Sequence, residues 1–154
     1  MDHSNTIVKP VTREDISAYT DVFMEAYNQP PWNYQWQPAD AARYLMEYLL
    51  SDNFKGFSLY ENDVFAGALF ARTKTWWNGR QLYIDEFFIA PSMQGRGYGK
   101  LLISHAEQFA REQQLVTITL MTHRFMPAMK FYTGIDFMQA PPFVILFKPL
   151  NGDI

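Results

Sequence analysis

Seven residues, Gln94-Gly95-Arg96-Gly97-Tyr98-Gly99-Lys100, constrain this chain more than any other stretch. An apolar and aromatic run, Leu82 to Ala90, leads into them, and a helical pattern from Leu101 to Gln113 leads out. The segment therefore reads as strand, glycine-rich turn, helix start. The first N–H groups of a helix have no partner inside it, and the macrodipole places roughly half a positive charge at that end. Together they make a socket for anions. Glycine lets the backbone approach a ligand and take positive φ, and Arg96 and Lys100 add charge suited to phosphate oxygens. The turn is thus expected to hold a diphosphate-bearing ligand.

Spacing narrows the choice. The dinucleotide fingerprint G-x-G-x-x-G fails, because counting from Gly95 ends on Lys100 and counting from Gly97 ends on Leu102. The nucleotide P-loop fails as well, with Gln94 in place of its first glycine and Leu101 in place of its hydroxyl. What remains is Q-x-x-G-x-G, filled by Gln94, Gly97 and Gly99. This resembles the acetyl-coenzyme A signature of the GNAT superfamily of N-acyltransferases, and Ile89-Ala90-Pro91 looks like that family's strand end. The resemblance covers most of the chain and is most specific from Tyr83 to Phe137. It implies the GNAT fold: α/β (α+β), with a mixed, mostly antiparallel sheet of six to seven strands, about four helices, and a splay between strands four and five. It also implies acetyl-CoA as acyl donor, with pantetheine pairing to backbone in the splay, near Phe87, Phe88 and Ile89, and pyrophosphate on the turn from Gln94 through Lys100.

The remaining elements follow from periodicity. Thr6 to Val11 reads as a first strand. Ile16, Tyr19, Val22, Phe23, Ala26 and Tyr27 recur at helical steps behind a Thr12 N-cap. Pro38 opens a second helix, with Ala42, Leu45, Met46, Leu49 and Leu50 on one stripe. From Phe57 the period becomes two. Phe57 to Tyr60, Val64 to Thr75 and Leu82 to Ala90 form a meander, turned at Glu61-Asn62-Asp63 and at Asn78-Gly79. Val116 to Met121 is a fifth strand, parallel to the fourth because a helix crosses between them. Pro127 starts a short helix through Tyr132. Phe137 to Gln139 and Phe143 to Phe147 read as final strands.

Composition excludes some chemistries. The 154 residues fit one domain, 1–154, and include no cysteine. Disulfides and thiolate metal sites are thereby ruled out, and without H-E-x-x-H no metal is expected. A net charge of −3 argues against a nucleic-acid partner and suits a cationic substrate. No stretch reads as a signal peptide or a membrane span, so the expectation is a cytoplasmic enzyme without a membrane partner. Exposed aromatic strands near the C-terminus would allow a homodimer.

Acyl transfer from a thioester to an amine needs a base, because an alkyl ammonium of pKa near 10.4 is almost wholly protonated at neutral pH. It also needs a donor for the oxyanion and a proton for the departing thiolate. Glu86, eight residues before Gln94, resembles the acid/base position of some aminoglycoside N-acetyltransferases in the superfamily. Asp85 takes its place if the register slips by one, and otherwise lines the substrate site. Strict alternation sets the two on opposite faces of strand four. Ala128-Met129-Lys130-Phe131-Tyr132 looks like the family's A-x-x-F-Y element, which makes Tyr132 the acid toward the sulfur. The chain departs from the family with Phe125 where asparagine is common and with Asp136 before Phe137 where glycine is usual. The oxyanion donor is expected to be a backbone N–H near Ile89. Trp32, Tyr34 and Trp36 form an aromatic wall suited to a protonated amine. His105 reads as core edge.

These observations imply an N-acetyltransferase moving acetyl from acetyl-CoA to a small-molecule primary amine. The alternatives are a protein or peptide acetyltransferase and a non-catalytic acyl-CoA sensor. With no cysteine to carry the acyl group, attack within a ternary complex is expected.

Overall fold

The computed structural model describes residues 3–151. The chain divides into two compact units, Met1–Met121 and Thr122–Ile154. The first holds a five-stranded sheet of order β1-β2-β3-β4-β5, made by β1 (Thr6–Pro10), β2 (Phe54–Glu61), β3 (Val64–Trp76), β4 (Gly79–Ile89) and β5 (Thr117–Leu120). Neighbours are antiparallel except β4 and β5, which run parallel. The helices of this unit are α1 (Ile16–Tyr27), α2 (Pro38–Leu49) and α3 (Tyr98–Glu112). The second unit contains α4 (Pro127–Gly134).

Local chemistry explains the joints. Asn62 and Asp63 both take positive φ, 50° and 65°, which matches the twist of a tight hairpin between β2 and β3. The β3–β4 hairpin turns at Trp77-Asn78, one residue earlier than expected, with Trp76 paired to Gly79. Pro38 stands at the start of α2 and Pro127 at the start of α4, where a missing N–H costs nothing.

Each face of the sheet is covered by different helices. On one face Tyr19 and Phe23 of α1 and Leu45 of α2 pack with Phe65, Ala68, Phe70 and Phe88. On the other, Tyr98 and Leu102 of α3 pack with Leu59 and Ala66, flanked by Phe57, Phe87 and Ile89.

Two expectations are corrected. Among the described residues the sheet has five strands rather than six to seven. The segments Phe137 to Gln139 and Phe143 to Phe147 are not strands. Phe143, Val144, Ile145, Leu146 and Phe147 are all exposed, so a run apolar enough for a strand lacks the ladder partners that would make it one. The second correction concerns β4. Phe70 lies opposite Glu86 while Ala71 lies opposite Ile84, so Asp85 is an extra residue in a β-bulge. Phe70 belongs to the α1/α2 face, and so does its partner Glu86. Asp85 pairs at 3.2 Å with Arg72, two residues along β3 from Phe70 and hence on that same face. Asp85 and Glu86 therefore share a face, because the bulge breaks the alternation that would have separated them.

Candidate active site

Glu86 sits at the centre of the α1/α2 face, inside a shell of phenols. Tyr44 of α2 donates to Glu86 Oε1 at 2.5 Å. The Tyr27 hydroxyl at the end of α1 lies 3.3 Å from both Glu86 Oε2 and the Phe87 carbonyl, and shares its proton between them. Tyr48, one turn after Tyr44, donates to the Tyr44 oxygen at 3.2 Å. Burial pushes the Glu86 carboxyl up to about 7; the Tyr44 and Tyr27 hydroxyls pull it down, and the Asp85 charge pushes it up again. Asp85 is also raised by burial, against the pull of Arg72. Tyr44 stands well above the ordinary phenol range, through burial first and then the adjacent Glu86 charge.

The phenols are held by ring packing. Phe23, a buried residue of α1, contacts Tyr27 at 5.0 Å, Trp36 at 5.3 Å, Phe88 at 5.6 Å and Tyr44 at 5.7 Å between centroids. Each such pair contributes about 0.5–1.5 kcal/mol beyond its buried area. The predicted aromatic wall joins this cluster. Trp32 packs edge-on to Tyr27, exposed Tyr34 stacks over Tyr27 at 14° between planes, and Trp36 lies 5.0 Å from Tyr44. The Asn28 side chain clamps the Trp36 backbone, accepting from its N–H at 2.9 Å and donating to its carbonyl at 3.0 Å. Tyr34 and Trp36 line an open cleft of about 490 Å³ with Asp40. A second cleft, of about 300 Å³, is lined by Tyr44, Tyr48, Arg72, Glu47, Ser51 and Asn53.

The glycine turn lies at the exit of β4. Gly95 and Gly97 take φ of 80° and 82°, and Gly97 is the N-cap of α3. A side chain there would strain the backbone. No atom comes within 4 Å of where a Cβ on Gly95 would stand, so the turn is open on that side. The first backbone bond of α3 runs from the Leu101 N–H to the Gly97 carbonyl at 3.1 Å, so the N–H groups of Tyr98, Gly99 and Lys100 precede the ladder. Gln94 braces the turn by donating to the Ile89 carbonyl at 3.2 Å. Arg96 donates to both oxygens of Glu61, at 3.1 and 2.8 Å, and Tyr98 donates to the same carboxylate at 2.7 Å. These bonds fasten the turn to the β2–β3 hairpin. The β4–β5 ladder spans only Gln81 to Ile84, paired with Thr117 to Leu120, and β4 runs on to Ile89 past its end.

A donor-rich turn lies at the exit of β4 and a part-buried carboxylate in its middle. The model of the Acetyltransferase (GNAT) family matches residues 20–137. The chain belongs to this family. GNAT enzymes use acetyl-CoA, and an open, glycine-lined helix start suits the pyrophosphate of that substrate. No curated protein sequence matches the chain. Solved structures share the GNAT fold. An integron cassette protein from the mobile metagenome of V. cholerae superposes with a TM-score of 0.80 at 20% identity, covering 96% of this chain and 94% of its own. An aminoglycoside acetyltransferase from an uncultured soil metagenomic sample gives 0.71 at 17% identity, over 94% and 98%. Aminoglycoside N-acetyltransferase AAC(6')-Iy, in complex with CoA, gives 0.75 at 15% identity, over 97% of each chain.

In this GNAT chain the predicted residues fall into three groups. Glu86, Asp85 and the Trp32, Tyr34 and Trp36 wall share the α1/α2 side of the first unit. Gln94 to Lys100 form the turn. Tyr132 belongs to the second unit, on α4, buried with its ring edge-on to Phe131 and Phe137. His105 sits beside Phe57 at 6.3 Å, the expected core-edge position. Sequence reasoning missed Tyr44, Tyr48 and Arg72. The signal was there in part: Tyr44 and Tyr48 are spaced i, i+4 on α2 and share one face.

Proposed function

We propose that the protein transfers the acetyl group of acetyl-CoA to a primary amine of a small molecule, by direct attack within a ternary complex. The observation that carries this reading is Glu86: a carboxylate pushed up to about 7 on a GNAT β4 strand, past the end of the β4–β5 ladder. A base of that strength is about half ionised at neutral pH and takes the proton of the attacking amine as the new N–C bond makes it acidic. Backbone N–H groups from Gln94 to Lys100, with Arg96 and Lys100 beside them, hold the pyrophosphate. The backbone of Phe87, Phe88 and Ile89 lies along pantetheine. Trp32, Tyr34 and Trp36, with Asp40, attract the protonated amine, and Asp85 lines the site with its charge paired to Arg72. Tyr132 donates a proton to the departing thiolate and recovers one from water. Single domain, cytoplasm, absence of a metal, and homodimer formation stay with this reading as proposals.

The test is CoA release, followed by thiol titration, over neamine, spermidine, tyramine and a short peptide, with product masses. Acetylated small amine is the expected product. Product only from the peptide would move the reading to protein acetylation. Stabilisation by acetyl-CoA, about 2.7 kcal/mol at a hundred times its Kd, without CoA release from any acceptor, would make the chain a sensor. Tyr132→Phe is expected to lower kcat about a hundredfold while calorimetric acetyl-CoA affinity holds; unchanged kcat removes Tyr132 as the acid.

A further inference from the structure

Glu86 is linked to an open cleft through phenols. Its Oε1 takes the Tyr44 proton at 2.5 Å, the Tyr44 oxygen takes the Tyr48 proton at 3.2 Å, and both phenols line the cleft of about 300 Å³ that also holds Arg72, Ser51 and Asn53. Tyr34 and Trp36 line a different cleft, on the Asp40 side. We infer that Tyr44 and Tyr48 form a proton relay that drains Glu86 into the Arg72 cleft, separate from the side on which the amine arrives.

This rests on Glu86 being the base. In the step, an N–H bond of the amine breaks and its proton binds Glu86. On reset the Glu86 proton passes from Oε1 to the Tyr44 oxygen as the Tyr44 proton passes to the Tyr48 oxygen and the Tyr48 proton passes to water. Before this transfer each hydroxyl rotates about its C–O bond, Tyr44 from Glu86 toward Tyr48 and Tyr48 from Tyr44 toward water; the transfer then restores the donor directions in the structure. Both phenols are neutral at start and finish. Concerted transfer is required because burial holds Tyr44 far from ionising. The groups facing this path are Tyr27 from α1, Tyr44 and Tyr48 from α2, Arg72 from β3, and Asp85 from β4, whose charge is paired with Arg72. Asp85 and Arg72 offset each other, and Glu47, which lines the same cleft, leaves the mouth of the relay acidic. Tyr44 and Tyr48 are positioning residues, since neither meets the reacting atoms.

Tyr48→Phe keeps the ring contact with Tyr44, 5.1 Å between centroids, and removes only the outer hydroxyl. It is assayed with the fastest amine of the panel, neamine first, alongside Tyr44→Phe, Glu86→Gln and thermal melting of each. The expected result for Tyr48→Phe is a five- to twentyfold lower kcat with both KM values unchanged. The solvent deuterium isotope effect rises, and 50 mM imidazole restores most of the rate. A Tyr48→Phe enzyme at wild-type kcat, or a slow one that imidazole does not rescue, overturns the relay. If Glu86→Gln is slow in that case, the base stands and only the relay falls. If Glu86→Gln runs at wild-type speed, or no amine releases CoA, the proposed function falls and the relay with it. A Tyr48→Phe chain that does not melt cooperatively is replaced by Tyr44→Phe, judged by the same imidazole rescue.

Discussion

The middle of β4 and its exit both handle charge, and they do it in opposite ways. At the exit, Gly95 and Gly97 take positive φ at the start of α3, where the proposed function has a ligand's charge meet the N–H dipoles that precede the helical ladder. Nothing ionisable has to be buried. In the middle, the bulge at Asp85 turns a second carboxylate to the α1/α2 face, and Glu86 is enclosed by Tyr27 and Tyr44. Here the charge belongs to the protein, and burying it is unfavourable. A site that grips an anion works with exposed dipoles. A site that takes a proton near neutrality works by desolvating its own base.

The largest effect that could break this comparison is on turnover. Glu86→Gln is expected to lower kcat by about 10²–10⁴, while acetyl-CoA affinity by calorimetry stays within twofold. A loss of affinity equal to the loss of rate would merge the two regions into one.

Next is stability against pH. The folded Glu86 carboxyl binds its proton more tightly than the unfolded one, so the contribution is full below 4.5 and is lost as pH rises through about 7. The shift corresponds to about 3 kcal/mol. Urea unfolding of the wild type should weaken by up to that amount between pH 4 and 8 relative to Glu86→Gln. Parallel curves for the two proteins would contradict the desolvated base.

Third, Gly97→Val forces a β-branched residue into the left-handed region, costing about 1–2 kcal/mol. It should weaken acetyl-CoA about tenfold or more, a loss equivalent to that strain, and leave the pH profile of kcat/KM in place. A moved pH profile would show that the exit and the middle are coupled. The smallest effect is Tyr44→Phe. Without its strongest donor the Glu86 carboxylate is harder to ionise, and the acidic limb of kcat/KM should move from near 7 upward by about one unit. A downward move would reverse the role assigned to that hydroxyl.

Much of this was readable in the residues themselves. The glycine turn, α1, α2 and α4, and the three-strand meander follow from alternation, helical spacing and turn chemistry, all local properties. The two final strands were misread for a related reason. An apolar run such as Phe143 to Phe147 states a preference for β structure, but a strand exists only when a neighbour supplies its hydrogen bonds.

The residues alone therefore specify the family, the donor-rich start of α3 and the presence of two carboxylates on β4. Strand pairing in three dimensions sets Asp85 and Glu86 on one face, because a bulge is a mismatch in count between β3 and β4 that neither strand records alone. Tertiary packing likewise gathers Tyr27, Tyr44 and Tyr48, from two helices far along the chain, around Glu86. A carboxylate's proton affinity is set by what surrounds it in space, and those surroundings are assembled by the packing of α1 and α2 onto the sheet.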